Sequence, residues 1–169
     1  GLDFHYDLSP REVQAAVFRT HIHAARRTGL PLVVHTREAD DVMAGILAEE
    51  QADGPFRFLM HCYTSGSELA EKAAELGAWF SVSGIATFKA ANAVREIVAA
   101  MPAERSIGET DCPYLAPMPH RGRRNEPAYV VHVLDKLAEI RGWDRDEAEA
   151  RTTDAFFALF DRIPRPEGV

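Results

Sequence analysis

The stretch "LPLVVHTR" (residues 30–37) decides what kind of sheet this chain can build. Leu32, Val33 and Val34 follow one another without a polar residue between them, and two of the three are β-branched. A strand of that pattern suits burial on both faces, as in a parallel sheet covered by helices. The apolar run stops at His35, Thr36 and Arg37, so the strand delivers an imidazole where its buried part ends.

The flanking sequence supports a parallel sheet. Upstream, Ser9 and Pro10 read as an N-cap with proline in the first turn, reinforced by Glu12. Val13, Ala16, Val17, Ala24 and Ala25 then mark a helix that closes at Gly29. Downstream the unit returns three times. Residues 41–50 read as a helix before the strand "FRFLMH" (residues 56–61), and residues 67–76 as a helix ending at Gly77 before "AWFSVS" (residues 78–83). Residues 90–100 form a third such helix, followed after Pro102 by a strand that runs into Glu109 and Asp111. Helices over residues 128–141 and 145–160 close the chain. Strands and helices alternating with short connections define an α/β fold with a parallel sheet.

The 169 residues are enough for one domain with a sizeable core. An apolar fraction of 46% beside 27% charged residues is that of a soluble globular protein. No apolar run approaches the ~20 residues of a membrane helix, so no membrane partner is expected. Cys62 and Cys112 are too few for a disulfide framework, which suits a reducing compartment and makes the cytoplasm the expected location. A formal net charge of -7 argues against nucleic-acid binding by bulk attraction. A phosphate-bearing substrate needs local positive charge, and the dense basic cluster is His120, Arg121, Arg123 and Arg124.

In parallel sheets, reactive groups gather at the carboxyl ends of the strands. His35, His61 and the Glu109/Asp111 pair arrive at three such ends. In an extended chain Glu109 and Asp111 share a face, and two crowded carboxylates require neutralisation. A lone strand-end histidine is usually structural, but two imidazoles and a carboxylate together are a donor set for zinc, manganese or a related divalent ion. A cation makes the paired carboxylates favourable where desolvation alone penalises them. His21 and His23 look like a His-x-His motif but fall inside the first helix, where residues two apart diverge. They read as surface histidines, as do His5 and His132, while "AFFALF" (residues 155–160) reads as core. Strand alternation turns Cys62 and Cys112 away from the neighbouring ligands, as small buried residues. Arg37 and Ser65, just beyond strand ends, suit either phosphate contact or a solvated rim.

Four segments resemble, in order, the signatures of the TatD family of metal-dependent deoxyribonucleases: "PLVVHTREADD" (residues 31–41), "MHCYTSG" (60–66), "GETDCPYLAP" (108–117) and "HRGRRNEPAYV" (120–130). The closing "RTTDAFFALF" (151–160) is similar to that family's final helix. The resemblance implies a (β/α) TIM-type barrel of the metal-dependent hydrolase class, of which this chain is the C-terminal two-thirds. It also implies cleavage of phosphodiester bonds in DNA, as an exonuclease on single strands or ends, with contacts to the phosphate backbone. His35, His61 and Asp111 match the family's metal ligands in these segments, with Asp111 and Glu109 as the catalytic carboxylates. Arg37, Ser65, Arg121 and Arg124 are the expected phosphate contacts. The cofactors implied are divalent ions (Mg, Mn or Zn), two in a full-length protein.

Family members also carry a His-x-His on the first barrel strand and a bridging Glu just before the Gly-Leu-Asp that stands here as Gly1, Leu2 and Asp3. The expectation is therefore that N-terminal strands with those ligands are absent from these residues, since a full barrel takes ~250. The sheet would then expose an edge. Two rival readings remain: an amide or ester hydrolase of the same barrel class, and a non-catalytic fragment acting as a binding scaffold. The oligomeric state is left open, with a monomer favoured.

Overall fold

The elements of the computed structural model, which describes residues 1–166 and 168, alternate as the apolar pattern requires. Strand β1 (Leu2–Asp3) leads into helix α1 (Arg11–Thr28), then β2 (Leu32–Val34), β3 (Thr36–Arg37) and α2 (Asp40–Asp53). β4 (Phe58–Met60), α3 (Ser67–Glu75), β5 (Trp79–Val82), α4 (Asn92–Ala100) and β6 (Ser106–Gly108) follow, and α5 (Val130–Arg141) and α6 (Arg145–Leu159) close the fold.

All strand pairs are parallel, in the orders β1-β3 and β2-β4-β5-β6. His35 alone separates β2 from β3, so the two form one path that changes partners there. Its carbonyl accepts from Leu2 N–H at 2.9 Å, while Val34 O accepts from His61 N–H at 3.0 Å on the other side. The result is one open run of parallel strands, an open part of a (β/α) barrel-type fold, with β1 and β6 as its edges.

Strand alternation sorts the side chains. Leu2, Val34, Phe58, Met60, Phe80 and Val82 face the helical layer and pack with Phe18, Ile22, Met43, Leu47, Leu69 and Leu137. Each large apolar side chain so buried contributes about 1.5–3 kcal/mol. The opposite face is covered only in part, where Leu59 and Ile107 meet Ala155 and Leu159 of α6. Arg57 fastens that helix end by donating to Leu159 O at 3.1 Å and pairing with Asp161 at 2.9 Å. Val33, expected to be covered on both faces, is 53% exposed, because no element spans the inner face at that point.

The helix ends depart from expectation in small ways. Pro10, not Ser9, stands at the N-cap of α1, without a side-chain cap bond, and Gly29 closes the helix in the left-handed region at φ 67°. α2 runs to Asp53 rather than Glu50, where Gly54 N–H bonds Glu50 O at 3.2 Å, and the Glu50 side chain is only 2% exposed. There Arg19 donates to its Oε1 at 2.8 Å, and Arg26 and His23 approach its Oε2 at 2.8 and 3.3 Å. His23 is thus a surface histidine with a buried partner, while His21 Nδ1 donates to Val17 O at 2.9 Å within its own helix. Among the described residues no helix is long and apolar enough to cross a membrane.

Candidate metal centre

Three strand ends converge on the inner face. His35 lies at the junction of β2 and β3, His61 follows β4, and Glu109 follows β6 with its N–H still bonded to Val82 O at 2.9 Å. The rings of His35 and His61 stand 5.7 Å apart between centroids. His61 Nδ1 is 3.3 Å from Glu109 Oε1. Asp111 is near enough for its charge to act on both imidazoles and on Glu109. The structure therefore brings His35, His61, Glu109 and Asp111 into one neighbourhood.

It does not close them into a cage: among the described residues no three His, Cys, Asp or Glu side chains already form a metal-holding group. The imidazoles are engaged in pairs instead. His35 Nε2 meets Asp3 Oδ2 at 3.0 Å, and His61 meets Glu109. Glu109 carries the feature that bears on a cation. Its Oε2 accepts from the Ser81 hydroxyl at 2.6 Å, whereas its Oε1 is buried without a well-aligned hydrogen bond, with His61 Nδ1 standing 3.3 Å away. A buried carboxylate oxygen without a donor calls for an explanation, and a divalent ion between it and two imidazoles is one that fits the donor set.

The charges answer the question raised by the carboxylate pair. Contact with Glu109, and more weakly the charge of Asp111, raises the His61 pKa above its ordinary value against the opposing effect of burial. Burial raises the Asp111 carboxyl, with repulsion from Glu109 adding to it and the two imidazoles opposing it. Burial also acts on Asp3, but the Tyr6 amide and then His35 hold its carboxyl below the usual range. The contact of the His61 ring with Glu109, and the charges of both imidazoles on Asp111, thus oppose the repulsion between the two carboxylates.

The backbone is strained at the same rim. Glu38, Cys62 and Asp111 adopt φ of 52°, 46° and 54°, a region that L side chains rarely occupy and that clusters at functional sites. Asp111 is therefore not in extended continuation of Glu109, as the sequence pattern suggested, but turns out of the strand direction. The following Cys112 is exposed rather than buried for the same reason: alternation has already stopped. Cys62 does not leave the site as strand alternation suggested: its Sγ donates to Ser83 Oγ at 3.1 Å, and burial first, with the nearby charges of Glu109 and Asp111 adding to it, pushes its thiol up to about 12.

The expected phosphate contacts are spread along this face. Arg37 places its guanidinium 4.8 Å over the Tyr6 ring. Ser65 lines, with Arg37 and Thr36, a cavity of about 870 Å³ that also presents Glu38, Asp40 and Glu96. Arg121 lies 4.4 Å over Phe88, and Arg124 is exposed. Sequence reading missed Asn125, which is buried and donates to Thr110 O at 2.8 Å and Tyr114 O at 2.6 Å, tying the arginine loop to the Glu-Thr-Asp turn. It also missed Asp3 and Ser81, both ordinary polar residues until the strand register sets them beside histidine and glutamate.

Residues 1–161 match the family described as TatD related DNase. A Bacillus subtilis (strain 168) protein called uncharacterized metal-dependent hydrolase YabD is 39% identical over 160 residues, which cover 95% of this chain and 62% of that protein. YcfH of Escherichia coli (strain K12), called by the same description, is 39% identical over 160 residues, 95% of this chain and 60% of its own. The solved structure of YJJV, a TatD homolog from Escherichia coli k12, superimposes with a TM-score of 0.87 at 26% identity, covering 97% of this chain and 62% of that one. The chain thus spans about three-fifths of the length of these relatives. On this match, over nearly all of its residues, the chain belongs to the TatD-related DNase family.

Proposed function

We propose that this chain carries metal-binding and catalytic residues of a metal-dependent hydrolase that cleaves phosphodiester bonds of DNA, acting on strand ends or single strands. The observation that carries the reading is the buried, hydrogen-bond-free Oε1 of Glu109 facing His61, beside His35 and Asp111 at the carboxyl ends of parallel strands. Membership of the family supports phosphodiester chemistry, and so does the arginine loop tied by Asn125 to the turn that holds Asp111.

His35, His61 and Asp111 are the residues that would hold a divalent ion, and Glu109 would stand beside it. Such an ion, when bound, lowers the pKa of water and polarises a phosphoryl oxygen. The protein's own groups do the rest. Asp111, whose carboxyl is raised by burial and by Glu109, accepts a proton from the attacking water at a carboxylate oxygen. Glu109, anchored through Oε2, keeps Oε1 fixed toward His61 and orients water. Asp3 holds the His35 ring in one orientation through Nε2. Arg121 and Arg124 grip the phosphate backbone without reading bases, as charged forks suited to phosphate.

Replacing Asp111 with Asn tests the assignment. Hydrolysis of single-stranded DNA in the presence of Mn2+ should fall at least ~100-fold with an unchanged melting temperature. Turnover retained in D111N refutes the role of Asp111. Hydrolysis of a cyclic amide in preference to DNA would instead favour an amidohydrolase, and a chain that binds neither Mn2+ nor DNA a scaffold.

A further inference from the structure

We propose that Ser81 is a positioning residue for this centre, a clamp whose single hydroxyl holds Glu109 and the turn after His61 in one fixed relation. The inference rests on the metal-centre reading above.

Ser81 lies on β5, between the strand that ends at His61 and the strand that ends at Glu109, and is 1% exposed. Its Oγ donates to Glu109 Oε2 at 2.6 Å and accepts from Cys62 N–H at 2.9 Å. The hydroxyl has one proton, and here it goes to the carboxylate, leaving a lone pair for the amide. His61 N–H bonds to Val34 O on the other side, and the next amide, that of Cys62, faces β5 and meets the Ser81 hydroxyl; Cys62 itself then turns the chain at φ 46°. Ser81 O accepts from Tyr63 N–H at 3.1 Å, so main chain and side chain of one residue together secure the turn.

The consequence lies at the carboxylate. With Oε2 engaged, Glu109 cannot rotate freely, and Oε1 alone remains toward His61. Removing the hydroxyl leaves Cys62 N–H and Glu109 Oε2 without partners and frees the carboxylate to turn both oxygens toward the imidazole. Ser83, two residues on, does not duplicate this role: its hydroxyl takes the Cys62 thiol, not Glu109. It is a buried hydroxyl just beyond the end of β5 and serves as a control.

The test uses the full chain and its S81A, S83A, E109A and S81A/E109A variants. Mn2+ affinity is measured by isothermal titration, and exchange of the Cys62 amide by NMR in the metal-free protein. S81A should weaken Mn2+ binding about 10–100-fold, the usual effect of losing a residue that orients the groups around a metal, while S83A stays within ~2-fold. In the E109A background S81A should change affinity by less than ~2-fold, because the clamp acts through Glu109. The visible spectrum of bound Co2+ should change in S81A and not in S83A. Metal-free S81A should exchange the Cys62 amide ~10-fold faster. Unchanged Mn2+ affinity in S81A, or an equal loss with and without Glu109, overturns the positioning role. A wild-type chain that takes up no Mn2+ while Cys62 stays protected overturns the metal reading and this role with it. Normal Mn2+ binding with unaltered Cys62 exchange in S81A overturns the clamp alone.

Discussion

Neutralising Glu50 should destabilise the fold by about 3 kcal/mol without touching the residues of the proposed metal centre. Glu50 is 2% exposed and lies between α1 and α2, where Arg19 donates to Oε1 at 2.8 Å and Arg26 stands 2.8 Å from Oε2. Arg26 is itself committed, bonding Gly54 O at 2.8 Å and Glu50 O, with its guanidinium over Phe56. Breaking a buried pair by removing one partner costs about 3–5 kcal/mol. Arg19 retains enough exposure to hydrate once released, which places E50Q at the lower end of that range. For a domain of this size ~3 kcal/mol corresponds to a melting temperature lower by about 6–12 °C, or to a urea midpoint lower by ~1.5 M at unchanged slope. The pH dependence gives a second readout. Burial alone would raise the Glu50 carboxyl, but Arg19 and then Arg26 hold it below its ordinary value. Its contribution is therefore complete above the unfolded pKa of ~4.3 and is lost as pH falls through the lower folded value. Wild type should lose this increment on acidification and E50Q should not. A cost below ~1 kcal/mol, or parallel acid limbs for the two proteins, would refute the network as a buried electrostatic link.

Two further outcomes follow from the geometry. At Gly84 an added Cβ would stand 2.0 Å from Leu115 O and 3.1 Å from Pro117 N, both backbone atoms that cannot swing aside. G84A should thus displace the loop leading from Asp111, destabilising by about 1–3 kcal/mol and weakening Mn2+ binding by up to ~100-fold; urea melts and titration of the variant check both. Of the chain's 2 cysteines, exposed Cys112 should react rapidly with a thiol reagent, and Cys62, with its thiol raised to about 12, only after unfolding. Two fast equivalents from the native protein would contradict that placement.

The sheet was legible because apolar runs and the polar residues that end them are local signals. The run Leu32-Val33-Val34 followed by His35 announces both a strand and the end of the sheet at which His35, His61 and Glu109 gather. What the pattern could not give was which polar residues become neighbours across strands. Asp3 meets His35 only because β1 pairs with β3 in the register Leu2↔Thr36, and Ser81 meets Glu109 only because β5 pairs with β6 through Ser81↔Ile107. A serine in a strand carries no mark of its future partner. Glu50 was hidden for the opposite reason: a glutamate near a helix end normally signals solvent, and only the two arginines of α1 make its burial tolerable. The reading of Val33 erred because an apolar run reports the tendency to be covered, not the presence of a cover.

The strained turns show what fixes the site once the sheet has formed. A non-glycine residue in the left-handed region costs about 1–2 kcal/mol, which glycine would remove at Glu38, Cys62 and Asp111 alike. At Asp111, and at Glu38, glycine would also remove the side chain that matters. The Glu38 carboxylate holds His5 at 2.6 Å, and the Asp111 charge acts on His61. Cys62 differs in that its contribution to the Glu109 clamp is through its backbone: its amide donates to the Ser81 hydroxyl just before the chain turns. Each turn thus changes the chain's direction at the first residues after a strand while still presenting a functional group. Strand register brings His61 and Glu109 together, and the turn at Asp111 decides where the second carboxylate points. A site assembled from strands that end in strained, side-chain-bearing residues depends on both, and relaxing either should loosen the same set of groups.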